Sequence, residues 1–195
     1  MSGRVTGILG GSFNPVHSGH LMLASYIAQF GDVDKVNLVL SPCNPLKQGN
    51  VMASDSDRFN MLRLACADSD LVEANDIELS MPRPSYTIDT LARLAKENPD
   101  CRFKLIIGSD NWAIFNRWRA SEEILDRFGV IVYPRRGYPM DKVSDPRVEI
   151  VDAPMIDISS TFIRKSIADG KDMNFFLPQS VYEYISQHQL YQSEI

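Results

Sequence analysis

The run Gly10-Gly11-Ser12-Phe13-Asn14-Pro15-Val16-His17-Ser18-Gly19-His20 holds two of the chain's three histidines, three residues apart. An apolar run, Val5 to Leu9, precedes it, and Leu21, Ala24, Ile27 and Ala28 follow at helical spacing. That order reads as strand, glycine turn, helix. The turn therefore brings both imidazoles to the first turn of a helix, on one face by their i, i+3 spacing. A helix N-terminus has unpaired N–H groups and a partial positive charge, so it attracts anions. Gly10 and Gly11 let a phosphate approach the backbone, and Gly19 keeps the helix start uncrowded. The chemistry favoured is contact with phosphate oxygens, not metal ligation or acyl transfer. The plainer alternative is a glycine turn with two exposed histidines.

A second anion site is written at Ile158-Ser159-Ser160-Thr161-Phe162-Ile163-Arg164. Ser159 and Ser160 are N-cap residue types, and the Ser-Ser-Thr start presents hydroxyls and amides to an anion. Arg164 sits one turn into that helix and can point its several N–H donors back to the same place. Standing alone, this segment leaves an ordinary capped helix with a surface arginine as the lesser reading.

Together the two segments resemble the bacterial nicotinate-nucleotide adenylyltransferases, within the superfamily marked by an (H/T)xGH turn. The first loop of that family reads GG(S/T)F(N/D)PxHxGH, and its C-terminal signature reads ISSTxIR. Matches run in family order from Gly10 to Arg164, so the resemblance covers essentially the whole chain. It implies adenylyl transfer from ATP to nicotinate mononucleotide, giving nicotinate adenine dinucleotide and pyrophosphate in NAD biosynthesis. It implies His17, His20 and Arg164 as the catalytic set, with Gly10, Gly11, Ser12, Phe13, Gly19, Ser159, Ser160 and Thr161 around ATP.

Other segments extend the resemblance. The Gly108-Ser109-Asp110 turn matches the family's IGxD, which places Gly108 and Asp110 beside the ATP ribose or triphosphate. Trp118 is implied to stack on the pyridine ring, an arrangement worth about 1 kcal/mol beyond area burial. Ser85-Tyr86-Thr87-Ile88-Asp89-Thr90 matches SYTxDT, which lies against the pyridine substrate. Ser85 or Thr87 is the expected N-cap there, and a pure capping role is the alternative reading. Ser41 to Lys47 matches a proline-rich loop ending in lysine, where Leu46 replaces a frequent histidine. Lys47 and Asn14 are implied to meet the mononucleotide. Pro134-Arg135-Arg136-Gly137 stands where the family has one arginine, which leaves open which of the two contacts ligand. Mg²⁺ is the expected cofactor, held mainly by ATP phosphates and water.

These residues need a scaffold that brings distant loops to one edge. Strand-like runs fall at Val5–Leu9, Val36–Leu40, Val72–Glu73 with Ile77–Leu79, Phe103–Ile107, Gly129–Tyr133 and Val148–Val151. Helical patterns alternate with them. They cover Gly19–Phe30, Ser56 to Cys66, Ile88 to Ala95, Ser121–Leu125, Ser159 to Gly170, and a last one from Pro178 through Leu190. Alternation of this kind predicts a single α/β domain: a doubly wound parallel sheet, Rossmann-like, with ligands at the strands' carboxyl ends. Spacing assigns Phe59, Leu62, Ala65, Ile88, Leu91 and Ile185 to the core. Trp112 is also read as core, and His188 as a surface residue.

Bulk composition narrows the classes. The 195 residues are 44% hydrophobic and 23% charged, enough for a substantial core. A net charge of −5 argues against bulk nucleic-acid binding. Cys43, Cys66 and Cys101 form no CxxC pair, which predicts reduced thiols. No signal-peptide pattern opens the chain and no apolar run approaches the ~18–20 residues of a membrane span, so the cytoplasm is expected. There is no P-loop, GxGxxG, GxSxG or HExxH motif. Oligomeric state is not legible. The alternatives are a different acceptor (nicotinamide mononucleotide or phosphopantetheine), a synthetase-like fragment, and a nucleotide sensor without catalysis.

Overall fold

Apolar runs form the strands β1 (Val5–Gly11), β2 (Lys35–Leu40), β3 (Val72–Asn75), β4 (Arg102–Gly108), β5 (Val130–Tyr133) and β6 (Val148–Ile150). The computed structural model describes residues 3–42, 52–140 and 145–192. All strands pair in parallel, in the order β3-β2-β1-β4-β5-β6. Ile8 faces Leu105, Gly11 faces Leu40 and Gly108 faces Tyr133, so β1, β2, β4 and β5 end level with one another. Winding reverses between β3 and β4. A crevice therefore opens at the carboxyl ends of β1 and β4.

Helices cover both faces, as right-handed crossovers require. One face carries α1 (Ser18–Phe30), α2 (Asp55–Cys66), α6 (Ser160–Ala168) and α7 (Gln179–Gln187). Its core packs Ala24, Ile27, Met61, Leu62, Ile163, Val181 and Ile185 against Val36, Leu38 and Leu40. The other face carries α3 (Thr87–Glu97) and α5 (Ser121–Arg127), whose Ile88, Leu91, Leu94, Ile124 and Leu125 pack against Ile8, Val39, Leu105 and Ile107. Adjacent strand residues such as Leu38 and Val39 enter opposite cores because strand side chains alternate. The doubly wound sheet is as the sequence predicts.

Several boundaries differ. Ile77–Leu79 is not a strand: residues Ile77–Ser80 form a 3-10 turn, closed by the Leu79 N–H on the Asp76 carbonyl at 2.8 Å and entered through the Ile77 N–H donating to Asn75 Oδ1 at 2.9 Å. A short helix, α4 (Ser109–Trp112), occupies the start of the 108–118 segment, which reads from sequence as a loop. Tyr86, not Ser85 or Thr87, is the N-cap of α3, and it makes no side-chain cap. Pro178 is the N-cap of α7, one position before the expected N1, and α7 stops at Gln187 rather than Leu190. In α2 the buried stripe is Arg58, Met61, Leu62 and Cys66, so Phe59 and Ala65 are only partly buried. Trp112 is partly buried against the second core, and His188 is exposed. Among the described residues no helix is long and apolar enough to cross a membrane. Cys66 and Cys101 are free, and burial pushes the Cys66 thiol up to about 11. Cys43 lies outside the described residues.

Candidate functional site

A cleft of about 720 Å³ sits on the level carboxyl ends of the sheet. Its floor is Leu9 to Phe13 at the end of β1, with His17, Gly19, His20 and Leu23 from the start of α1. Asp110 and Asn111 from α4 and Tyr133 to Arg136 after β5 form one wall. Ala153 to Ser160, leading into α6, forms the other. The sheet order places the cleft here: β1 and β4 are neighbours on either side of the reversal.

The two histidines make a fixed pair. His17 is the N-cap of α1 and His20 is its third helical residue. The rings stack at 3.7 Å between centroids, 23° from parallel. The His17 backbone N–H donates to His20 Nδ1 at 3.3 Å, so His20 does what Glu or Gln does in a capping box. Acceptance at Nδ1 assigns the proton of neutral His20 to Nε2. The edge of Phe13 holds the other side of the His20 ring at 5.0 Å. His17 is 4% exposed, and its Nδ1 has no hydrogen-bond partner. Burial, aided by the Arg135 charge, lowers the His17 imidazole to about 4. Burial first, then His17 and Arg135, hold His20 well below the usual histidine range. Both rings are neutral at pH 7.

The surrounding loop explains its own sequence. A Cβ on Gly19 would sit 3.1 Å from His17 Nδ1, so the glycine makes room for that ring. Phe13 takes a left-handed φ of 41 and is buried beneath the loop. Across the cleft, Ser159 caps α6 by accepting from the Phe162 N–H at 3.1 Å. Ser160 Oγ donates to the Pro15 carbonyl at 2.9 Å, joining the two helix starts. The N-termini of α1 and α6 therefore serve one cleft.

Of the two arginines after β5, Arg135 is the one whose charge lowers both histidines. Its backbone N–H donates to Ser109 Oγ at 2.9 Å, and its Nε lies 3.9 Å from Asp110 Oδ1. Arg136 is largely exposed and pairs with Asp157 at 3.3 Å. Gly108 admits this arrangement, because a Cβ there would meet Arg135 Cγ at 2.8 Å. Asp110 Oδ1 is buried without a hydrogen-bond partner. Among the described residues, no group of three or more His, Cys, Asp or Glu is placed to hold a metal ion.

The cleft thus gathers Gly10, Gly11, Ser12, Phe13, His17, Gly19, His20, Asp110, Ser159 and Ser160. Other expected residues lie outside its lining. Arg164 Nη1 donates to the Asn14 carbonyl at 2.7 Å, and Nη2 to Thr161 Oγ1 at 3.3 Å. Asn14 is buried beneath the loop. Ser85 Oγ donates to Glu78 Oε2 at 3.3 Å, and Thr87 opens α3. Trp118 is half-buried, 5.5 Å from the Phe115 ring. Lys47 and Leu46 lie outside the described residues.

Sequence reasoning missed Arg58, which is fully buried. Its guanidinium donates to the carbonyls of Ser12 at 2.5 Å, Ser41 at 2.9 Å and Ala53 at 3.2 Å, and pairs with Asp55 at 2.5 Å. It ties the ends of β1 and β2 together under the cleft. Its phase with Met61 and Leu62 on α2 was the available signal: a charge on an apolar stripe.

Comparison with known proteins accords with this geometry. The cytidylyltransferase-like family model matches residues 8–166. A Bacteroides fragilis (strain YCH46) protein named "Probable nicotinate-nucleotide adenylyltransferase" is 45% identical over 188 residues, 96% of this chain and 94% of that one. One of the same name from Azobacteroides pseudotrichonymphae is 46% identical over 176 residues, 90% of this chain and 93% of that one. Among solved structures, Plasmodium falciparum nicotinic acid mononucleotide adenylyltransferase complexed with NaAD has a TM-score of 0.76 at 21% identity. It covers 96% of this chain and 97% of that chain, a likeness of fold. The chain therefore belongs to the nicotinate-nucleotide adenylyltransferase family, within the cytidylyltransferase-like proteins.

Proposed function

We propose that this protein transfers the adenylyl group of ATP to nicotinate mononucleotide in NAD biosynthesis. The observation that carries the reading is the stacked histidine pair at the start of α1, facing the start of α6 across one cleft. A mononucleotide phosphate oxygen attacks the α-phosphorus of ATP in line. The bond from that phosphorus to the bridging oxygen breaks, and pyrophosphate leaves with the electron pair. The attacking phosphate is already anionic at pH 7, so the protein needs no nucleophile or strong base. It must align the reactants and stabilise charge on the transferring group.

Neutral His20 suits that task as an Nε2–H donor, and His17 stacks beside it. The free amides of α1 and the Ser159–Thr161 start of α6 add donors without adding mobile charge. Arg164 holds the loop by its Asn14 carbonyl and lies within reach of the same helix start. Gly10, Gly11, Ser12, Phe13, Gly19, Gly108 and Asp110 complete the ATP side. Asn14, Lys47, Ser85, Thr87 and Trp118 make up the mononucleotide side of the proposal. Mg²⁺ accompanying ATP would supply charge neutralisation at the β- and γ-phosphate oxygens. The Asp110 carboxylate on the cleft wall, 3.9 Å from Arg135 Nε, would be the group to hold a water of its hydration shell. We place the enzyme in the cytoplasm, with small-molecule substrates and no nucleic-acid or membrane partner.

The test is pyrophosphate release from ATP with nicotinate mononucleotide, its amide, or phosphopantetheine as acceptor. Turnover is expected chiefly with the acid. Preference for either other acceptor overturns the substrate, and no turnover with any of them overturns the enzyme reading.

A further inference from the structure

Segments far apart in sequence meet at Asn14. Its backbone carbonyl accepts from Arg164 on α6 at 2.7 Å. Its side-chain Oδ1 accepts from the Ala53 N–H at 3.2 Å and from the Tyr191 hydroxyl at 2.8 Å. The next carbonyl, that of Pro15, takes Ser160 Oγ at 2.9 Å. Arg164 and Ser160 belong to the helix whose start faces the cleft. Tyr191 does not: it arrives from beyond the end of α7, 177 residues from its partner.

The backbone that delivers Tyr191 is unusual. Gln189 and Tyr191 both adopt left-handed φ, at 51 and 63, which residues with a Cβ seldom do. The Leu190 N–H reaches back to the Ile185 carbonyl at 3.0 Å, folding the segment against its own helix. At Gln189 this is the Schellman end of α7, with the Gln189 N–H also on the Ser186 carbonyl at 3.3 Å, and Tyr191 turns the chain a second time. Here the outcome is a Tyr191 ring 6% exposed, with its hydroxyl on the turn that leads to His17. Burial also pushes this phenol up in pKa, so it remains a donor at any working pH.

We propose that Tyr191 is a positioning residue for the catalytic turn, its hydroxyl fixing the Asn14 side chain and so the Asn14–His17 segment that sets the histidine pair. The proposal rests on the adenylyl-transfer reading of the cleft. It makes the segment after the last helix a working part of the active site. Exchange of Tyr191 for phenylalanine isolates the hydroxyl. The ring still packs, and Asn14 Oδ1 keeps the Ala53 N–H, so no buried acceptor is orphaned.

The chain has only three histidines, which makes their imidazole NMR signals separable. In the full-length Tyr191→Phe variant the His17 and His20 signals are expected to move. Those of His188, exposed and stacked on Tyr184, are expected to stay. The kcat is expected to fall roughly tenfold or more, with the KM for ATP held within about twofold. Unmoved His17 and His20 signals overturn the proposal, whatever happens to kcat. A shift of all three histidines together with a lowered Tm also overturns it, because that marks general loosening. If the wild-type protein turns over no acceptor, the enzymatic reading fails, and the NMR comparison still decides whether Tyr191 sets the turn.

Discussion

His20 Nδ1 lies 3.3 Å from the backbone nitrogen of His17, while the two imidazole rings stack 3.7 Å apart. One side chain thus caps the helix and buries its neighbour. Protonation of either ring would put a charge into a desolvated stack beside Arg135. In the unfolded chain both rings return to about 6.5. The unfolded state therefore binds more protons than the folded state between 6.5 and about 4, the lowered His17 value. The pair's contribution is complete above that window and is lost as pH falls through it, at up to about 1.4 kcal/mol per unit for each ring. Thermal unfolding measured from pH 4 to 7.5 is expected to show this slope. It should be shallower in His17→Asn, and identical slopes would show that the carboxylates alone govern it.

Loss of the Nε2–H donor is expected to act on the chemical step. His20→Ala should lower kcat by roughly 10²–10⁴-fold while far-UV circular dichroism is unchanged. Near-normal turnover in a folded variant would exclude His20 from transition-state stabilisation.

Arg58 makes a different kind of contribution. Its guanidinium, itself fully buried, serves the carbonyls of Ser12, Ser41 and Ala53 and the Asp55 carboxylate. Arg58→Met fills the volume but removes the guanidinium donor from the Ser12 and Ser41 carbonyls, while Asp55 keeps Arg83 at 2.8 Å. A loss of roughly 3–5 kcal/mol in urea unfolding is expected, as for breaking a buried pair. A loss under about 1 kcal/mol would mean that other donors replace the guanidinium.

Trp118 separates the two substrates. It packs near Phe115 outside the cleft lining, half-buried, with ring surface left for a ligand. Trp118→Ala is expected to raise the KM for nicotinate mononucleotide far more than that for ATP. Equal changes in both would reduce Trp118 to a packing residue.

What the sequence determined by itself was local. Each strand of a parallel sheet is buried on both faces, so Val36–Leu40 and Phe103–Ile107 stand out as apolar runs. The His17–His20 spacing and the Ser159 cap lie within single helix turns, and so are written in consecutive residues. The Ile77–Ser80 turn escaped because an Asn75 side chain, not a periodic pattern, takes the Ile77 N–H and ends the strand before it. Tertiary structure alone decided what depends on distant partners. It set Arg135 against Asp110 and Arg136 against Asp157, sank Arg58 beneath the cleft, and brought Tyr191 to Asn14. The physical reason is the range of the interaction. Periodicity and capping report a residue's neighbours along the chain, whereas a buried hydrogen bond is set by whichever segment the fold brings alongside.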